Sequence, residues 1–202
     1  MVRLEKIKYK PMPVRDLLVE MKDLSELMID LAYSAALFHS HELAEEVLEL
    51  ETHVDTLAYI FKMNTMLAAR DAEDAEALVG VSTVASAADK ISDAAADIAA
   101  LALREVHIHP IVREAFSEVE EQLVRAEVKP HSILVGKNLG KLELAARIGV
   151  DVIAIRRKKK WIINPEENEV VSDGDVVFAR GAPQGIKELK MVAEGSLQKL
   201  GD

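Results

Sequence analysis

The sequence predicts an α + (α+β) protein. An antiparallel three-helix bundle over residues 1–108 is followed by a small, β-rich α+β domain over residues 109–202. Three observations predict this. Apolar residues recur at alternating spacings of three and four through the first hundred positions, the period of a helix with one buried stripe. No proline falls between Pro13 and Pro110, and Gly80 is the only glycine in that interval. Beyond Pro110 the apolar runs shorten and become β-branched, with Gly, Pro, Asn and Asp between them, as strands and turns require.

The first helix enters behind Pro11 and Pro13, since proline is tolerated at or before the first turn. Its seam is Leu17, Met21, Leu24, Met28, Leu31 and Ala35. His39-Ser40-His41 reads as a turn in which Ser40 caps the second helix. That helix carries the seam Leu43, Val47, Leu50, Val54, Leu57 and Phe61. Asp71 and Asp74 put negative charge at the start of the third helix, where the helix dipole favours it. The expected seam there is Val81, Val84, Ala88, Ile91, Ala95, Ile98 and Ala102. Short connections between three long helices predict an antiparallel bundle.

Residues 110–120 read as a connecting helix, with the domain boundary between 105 and 120. Extended segments are expected at 122–128, 150–156, 160–163 and 175–179, and helical pieces at 140–148 and 183–193. Gly149 suits a helix C-terminus, and Gly174 between two aspartates suits a tight turn. The basic run Arg156 to Lys160 lies between two predicted strands and reads as a solvated hairpin turn, with anionic lipid as the competing partner.

Composition excludes several functions. The chain has 202 residues, no cysteine and a formal net charge of −10. Disulfides, thiolate metal sites and cysteine nucleophiles are therefore absent, and an acidic chain is not expected to bind nucleic acid non-specifically. No apolar run approaches the roughly 20 residues of a membrane span, and the N-terminus has no apolar signal core. The expected location is the cytoplasm, or peripherally at the inner face of a membrane. No Ser-His-Asp order, His-Glu-x-x-His or phosphate-binding glycine loop occurs, so no enzyme is expected. The histidines at 39, 41, 107 and 109 are paired at i,i+2, off a common helical face, and read as loop or capping residues.

Two acidic sets lie on the helical half, Glu51 with Asp55 and Asp89 with Asp93, the second continued by Asp97. A spacing of four places each pair on one face. That arrangement describes a solvated acidic face, with a site for a hard cation as the alternative. Asp89-Lys-Ile-Ser-Asp93-Ala-Ala-Ala-Asp97-Ile98-Ala99 resembles the second acidic motif of the PhoU family of phosphate-uptake regulators, over roughly residues 14–104. The resemblance implies a divalent or ferric metal ion at Glu51, Asp55, Asp89 and Asp93. PhoU proteins usually have two such bundles, so a homodimer is implied.

The second half carries the motifs Leu134-Val135-Gly136-Lys137-Asn138-Leu139, Gly149-Val150-Asp151-Val152-Ile153-Ala154-Ile155-Arg156-Arg157, Pro165, and Asp173-Gly174-Asp175-Val176-Val177. In order and composition they resemble the C-terminal domain of the RCK/TrkA family, the ligand-sensing module of potassium channels and transporters. This implies an RCK-C-like fold, dimerisation and a ligand such as a cyclic dinucleotide or another small anion. By position the ligand-binding residues are Val150, Asp151, Arg156 and Arg157. The G-x-G-x-x-G of a Rossmann half is missing, which removes the usual dinucleotide route. Together the two resemblances imply a cytoplasmic subunit coupling ligand sensing to a membrane potassium channel or transporter. The alternative is a metal-binding, PhoU-type regulator of phosphate uptake.

Overall fold

Three helices form the first of two units, which divide at residues 106 and 107. The computed structural model describes residues 9, 11–104, 109, 111 and 121–201. The expected connecting helix at 110–120, the boundary and His107 lie outside the described residues, apart from His109 and Ile111.

Helix α1 spans Val14–Phe38, α2 His41–Ala68 and α3 Ala72–Leu103. Pro13 stands at the N-cap of α1, and His39 ends that helix in a left-handed conformation at φ 51°. Ser40 caps α2 by accepting a hydrogen bond from the Leu43 N–H at 3.3 Å. Asp71 caps α3 by accepting from the Asp74 N–H at 2.9 Å, and Arg70 pairs with the Asp74 carboxylate at 2.7 Å. The predicted seams of α1 and α2 are buried throughout, from Leu17 to Ala35 and from Leu43 to Phe61.

Helix α3 keeps part of its predicted seam, with Ala88, Ala95 and Ala102 buried as expected and Val81 and Ile98 half-buried. Ala85, Ala88, Ser92, Ala95, Ala99 and Ala102 face the core, whereas Val84 is 53% exposed and Ile91 40% exposed. Small side chains let α3 approach its neighbours closely, and Ser92 Oγ donates to the Met28 sulfur at 3.3 Å. The larger aliphatics are thereby turned outward.

The second unit is a four-stranded antiparallel sheet with short helices. Strand β1 is Gln122–Glu127, followed by α4 (Leu139–Leu142), α5 (Leu144–Ile148), β2 (Val150–Arg157), β3 (Lys160–Ile163), β4 (Val176–Gly181) and α6 (Pro183–Ala193). The spatial order is β1-β4-β2-β3, with a register shift between Val152 and Ala154 where β2 meets β4. The helical piece expected at 140–148 is two turns, broken at Glu143 with φ 49°. Asn138 caps α4 through the Lys141 N–H at 2.9 Å, and Gly149 ends α5 at φ 64°. The basic run makes the β2–β3 hairpin, with Lys158 left-handed at φ 58°.

One sheet face carries the main core, where Val124, Val150, Ile155, Val177 and Ala179 meet Leu189 and Val192 of α6. On the other face Phe178 is fully buried, with its ring 5.0 Å from that of Trp161.

Candidate functional site

The helical unit brings three carboxylates together. Glu51 and Asp55 sit one turn apart on α2, and Asp93 projects from α3. Ligand oxygens of all three lie within 4.8 Å of one another. Glu51 is half-buried while Asp55 and Asp93 are exposed. Burial pushes the Glu51 carboxyl above its usual range, and the charges of Asp55, Asp93 and Asp89 add to that shift against a hydrogen bond from Thr52. Asp89 is also raised, first by burial, with Lys62 opposing and Asp55 and Asp93 adding. Asp89 therefore feels the cluster but lies outside the group of three whose oxygens converge.

Three carboxylates at this spacing repel one another when all are ionised. A hard cation takes oxygen ligands at 2.3–2.6 Å when it is calcium-like, and it would relieve the repulsion. The geometry suits such an ion without requiring one.

The linkage has a definite sign. Because its folded pKa lies above the unfolded value, Glu51 costs no stability at pH values below the ordinary glutamate range. The cost develops as pH rises through the folded pKa. Replacement Glu51→Gln should therefore stabilise the metal-free protein near neutral pH by about half a kcal/mol, the scale of a like-charge helical pair. Urea unfolding at pH 7 and pH 4 checks this, with the gain expected to shrink at the lower pH.

In the second unit, Val150 and Asp151 line a cavity of about 460 Å³ at the α4–α5–β2 corner, with Leu139, Gly140, Glu143, Pro165 and Glu167. Val150 is buried and Asp151 exposed. Arg156 and Arg157 stand at the far end of β2, six and seven residues from Val150, a rise of about 20 Å. The structure does not bring them to that cavity. The Arg156 guanidinium lies 6.0 Å over the Trp161 ring. Arg157 is engaged within the chain. Its Nε and Nη2 donate to the two Asp175 oxygens at 2.9 and 2.8 Å, Nη1 donates to Glu169 at 3.0 Å, and Nη2 also donates to the Val170 carbonyl at 2.7 Å. These carboxylates hold its pKa above the usual arginine range, with Asp175 first among them.

Sequence reading missed Glu143 and Glu167, whose carboxylates make the cavity wall acidic. Glu143 is itself paired with Arg147 at 3.0 Å. It also missed an apolar groove of about 540 Å³ between the end of α2 and the start of α3, lined by Thr65, Met66, Leu78, Val79, Ser82 and Ser86 among others. The exposure of Met66 at 78% and Val79 at 64% marks that groove. Of the histidines, His53 reaches Glu20 across α1 and α2 at 3.3 Å.

Comparison with known proteins gives two family matches. Residues 18–102 match the model of the PhoU domain, and residues 123–193 match that of the TrkA-C domain. Among curated proteins, the chain is 27% identical over 113 residues to "Probable potassium channel protein 2" of Methanocaldococcus jannaschii, covering 51% of this chain and 33% of that protein. It is 28% identical over 75 residues to "Ktr system potassium uptake protein C" of Bacillus subtilis, covering 37% of this chain and 34% of that protein. The match thus spans about a third of each relative. Among solved structures, the RCK_C domain dimer of S. agalactiae BusR in complex with c-di-AMP is 25% identical. That likeness covers 36% of this chain and 90% of that one, at a TM-score of 0.34. No helix among the described residues is long and apolar enough to cross a membrane.

Proposed function

The chain joins a PhoU domain to a TrkA-C domain, and from that pairing we propose a non-catalytic, cytoplasmic regulatory subunit for a membrane potassium channel or transporter. The pairing is the observation that carries the reading, because each half is of a kind that regulates ion uptake, and the curated relatives are named for potassium transport. The subunit acts as a homodimer. Ligand occupancy of the TrkA-C half changes the conformation it favours, which requires unequal affinity for two states.

The ligand is a cyclic dinucleotide or another small anion. The cavity that Val150 and Asp151 line in one protomer has an acidic wall, so basic groups from outside that wall must complete an anion site. Titration calorimetry with cyclic di-AMP tests the ligand, and no heat at concentrations up to about 1 mM removes it.

The partner is tested by affinity purification of the tagged full chain from native membranes, with mass spectrometry of what is retained. Recovery of a potassium channel or transporter subunit supports the reading. Recovery of phosphate-uptake components instead supports the second reading, a metal-binding PhoU-type regulator. That alternative is favoured by one observation, the convergence of Glu51, Asp55 and Asp93. Calorimetry of the metal-free protein with Mn²⁺ or Fe³⁺ checks it, and an absence of uptake removes the metal from Glu51, Asp55, Asp89 and Asp93.

A further inference from the structure

Helix α3 carries a second apolar seam that its own bundle leaves exposed from Gly80 to Ala94 and half-buried at Ile98 and Leu101. Gly80, Val84, Ala87, Ile91, Ala94, Ile98 and Leu101 recur at spacings of four and three, the repeat of a helix that packs against another helix along its length. The seam runs for about 32 Å and contains no charged residue. Val84 and Ile91 are 53% and 40% exposed, although both are large and apolar. The flank on one side is Ala88, Ala95 and Ala102, which face the core of the bundle. The other flank is Thr83, Lys90, Asp97 and Arg104, seven residues apart, and all four are exposed.

We propose that α3 pairs with α3 of a second copy of this chain, antiparallel, along this seam. Two features choose the occupant and the direction. Large and small residues alternate, with Val84, Ile91 and Ile98 at one position of the repeat and Ala87 and Ala94 at the other. A parallel pair would stack alanine on alanine and leave gaps, which packed interfaces avoid. In the antiparallel register Ile91 lies against Ala94 of the partner subunit and Ile98 against Ala87 of the partner subunit. Val84 then lies against Leu101 of the partner subunit.

The second feature is charge. In the same register Lys90 faces Asp97 of the partner subunit, and two-fold symmetry makes that contact twice. Parallel pairing would set Lys90 against an alanine flank. One register thus satisfies both the packing and the charges, and only a second copy supplies all of these complements. The proposal extends the homodimer of the preceding reading by naming its surface.

The native chain has no cysteine, so the register can be read directly. Lys90→Cys and Asp97→Cys full-length proteins are mixed, allowed to exchange subunits, and treated with a bis-maleimide of about 10 Å span. The expected product joins position 90 of one chain to position 97 of the other, identified by peptide mass spectrometry. In light scattering, Lys90→Asp and Asp97→Lys should each weaken the dimer about tenfold, and the double variant should restore it. A dimer without the 90–97 link, or one insensitive to the charge reversals, overturns the α3 surface while leaving the homodimer intact. A monomer at about 100 μM overturns both. Circular dichroism of each variant, expected to match the native spectrum at these exposed positions, separates lost pairing from lost folding.

Discussion

Arg157→Ala should destabilise the second unit by about 3–5 kcal/mol, the cost of leaving a buried charge without its partner. The Asp175 side chain is 1% exposed in its pair with Arg157. Its carboxylate takes two guanidinium hydrogen bonds and one from the Ser172 N–H at 2.8 Å. Without Arg157 the carboxylate, 1% exposed in the intact pair, keeps the Ser172 N–H as a neutral donor. Glu169 and the Val170 carbonyl lose a donor at the same time, so the loop before β4 comes loose from the end of β2. Arg157→Lys should fall between, since an ammonium supplies charge but not the planar fork that meets two oxygens at once. Trp161 is the chain's only tryptophan, so its fluorescence during urea unfolding reports on this unit alone. A loss below about 1 kcal/mol would mean that Asp175 finds water or another donor, and the account of Arg157 would fail.

Gly185→Ala should cost the same unit about 2 kcal/mol or more, the range of overpacking in a well-packed core. Helix propensity by itself predicts the opposite sign, since alanine in a helix interior gains up to about 1 kcal/mol over glycine. Contact decides the matter. A Cβ at position 185 would lie 2.0 Å from the Ile148 carbonyl oxygen and 2.8 Å from Val150 Cγ2. The first of these is backbone, which cannot swing aside as a flexible side chain can. Helix α6 would have to lift from the end of α5 and the start of β2. Gly80→Ala is the matched control, because no atom lies within 4 Å of a Cβ built there. It should be neutral or stabilising when the helical unit is followed by circular dichroism.

Much of this architecture is legible in the amino-acid order. The seams of α1 and α2 are read directly because their large residues are also the buried ones. The strands and short helices of the second unit are read from punctuation at Gly136, Gly149, Pro165 and Gly174. In α3 the same reasoning finds the buried Ala88, Ala95 and Ala102, but it also selects Val84 and Ile91, which are exposed, and passes over Ala85, Ser92 and Ala99. The small residues carry the inward face there, and hydrophobicity ranks them below the larger aliphatics beside them. Glu51, Asp55 and Asp93 are legible from the spacing of four, but which carboxylates converge depends on the relative rotation of two helices, and Asp89 falls outside. The engagement of Arg157 is not legible at all. Its partner lies 18 positions later and meets it only because β2 pairs with β4, with Arg156 opposite Val176.

That placement of β4 has a consequence for the order of assembly. β4 lies between β1 and β2, although it is the last of the four strands to leave the ribosome. Until it is made, β1 has no neighbour in the sheet, and only the β2–β3 hairpin can form by local contact. Pairing Gln122 with Gly181 closes a long loop, whose entropy is lost before any ladder bond repays it. The second unit should therefore acquire its structure in one late step, while the three helices, joined by short turns, can form on the emerging chain. A nascent chain arrested before Val176 should accordingly be protease-resistant in its helices and cleaved freely beyond them.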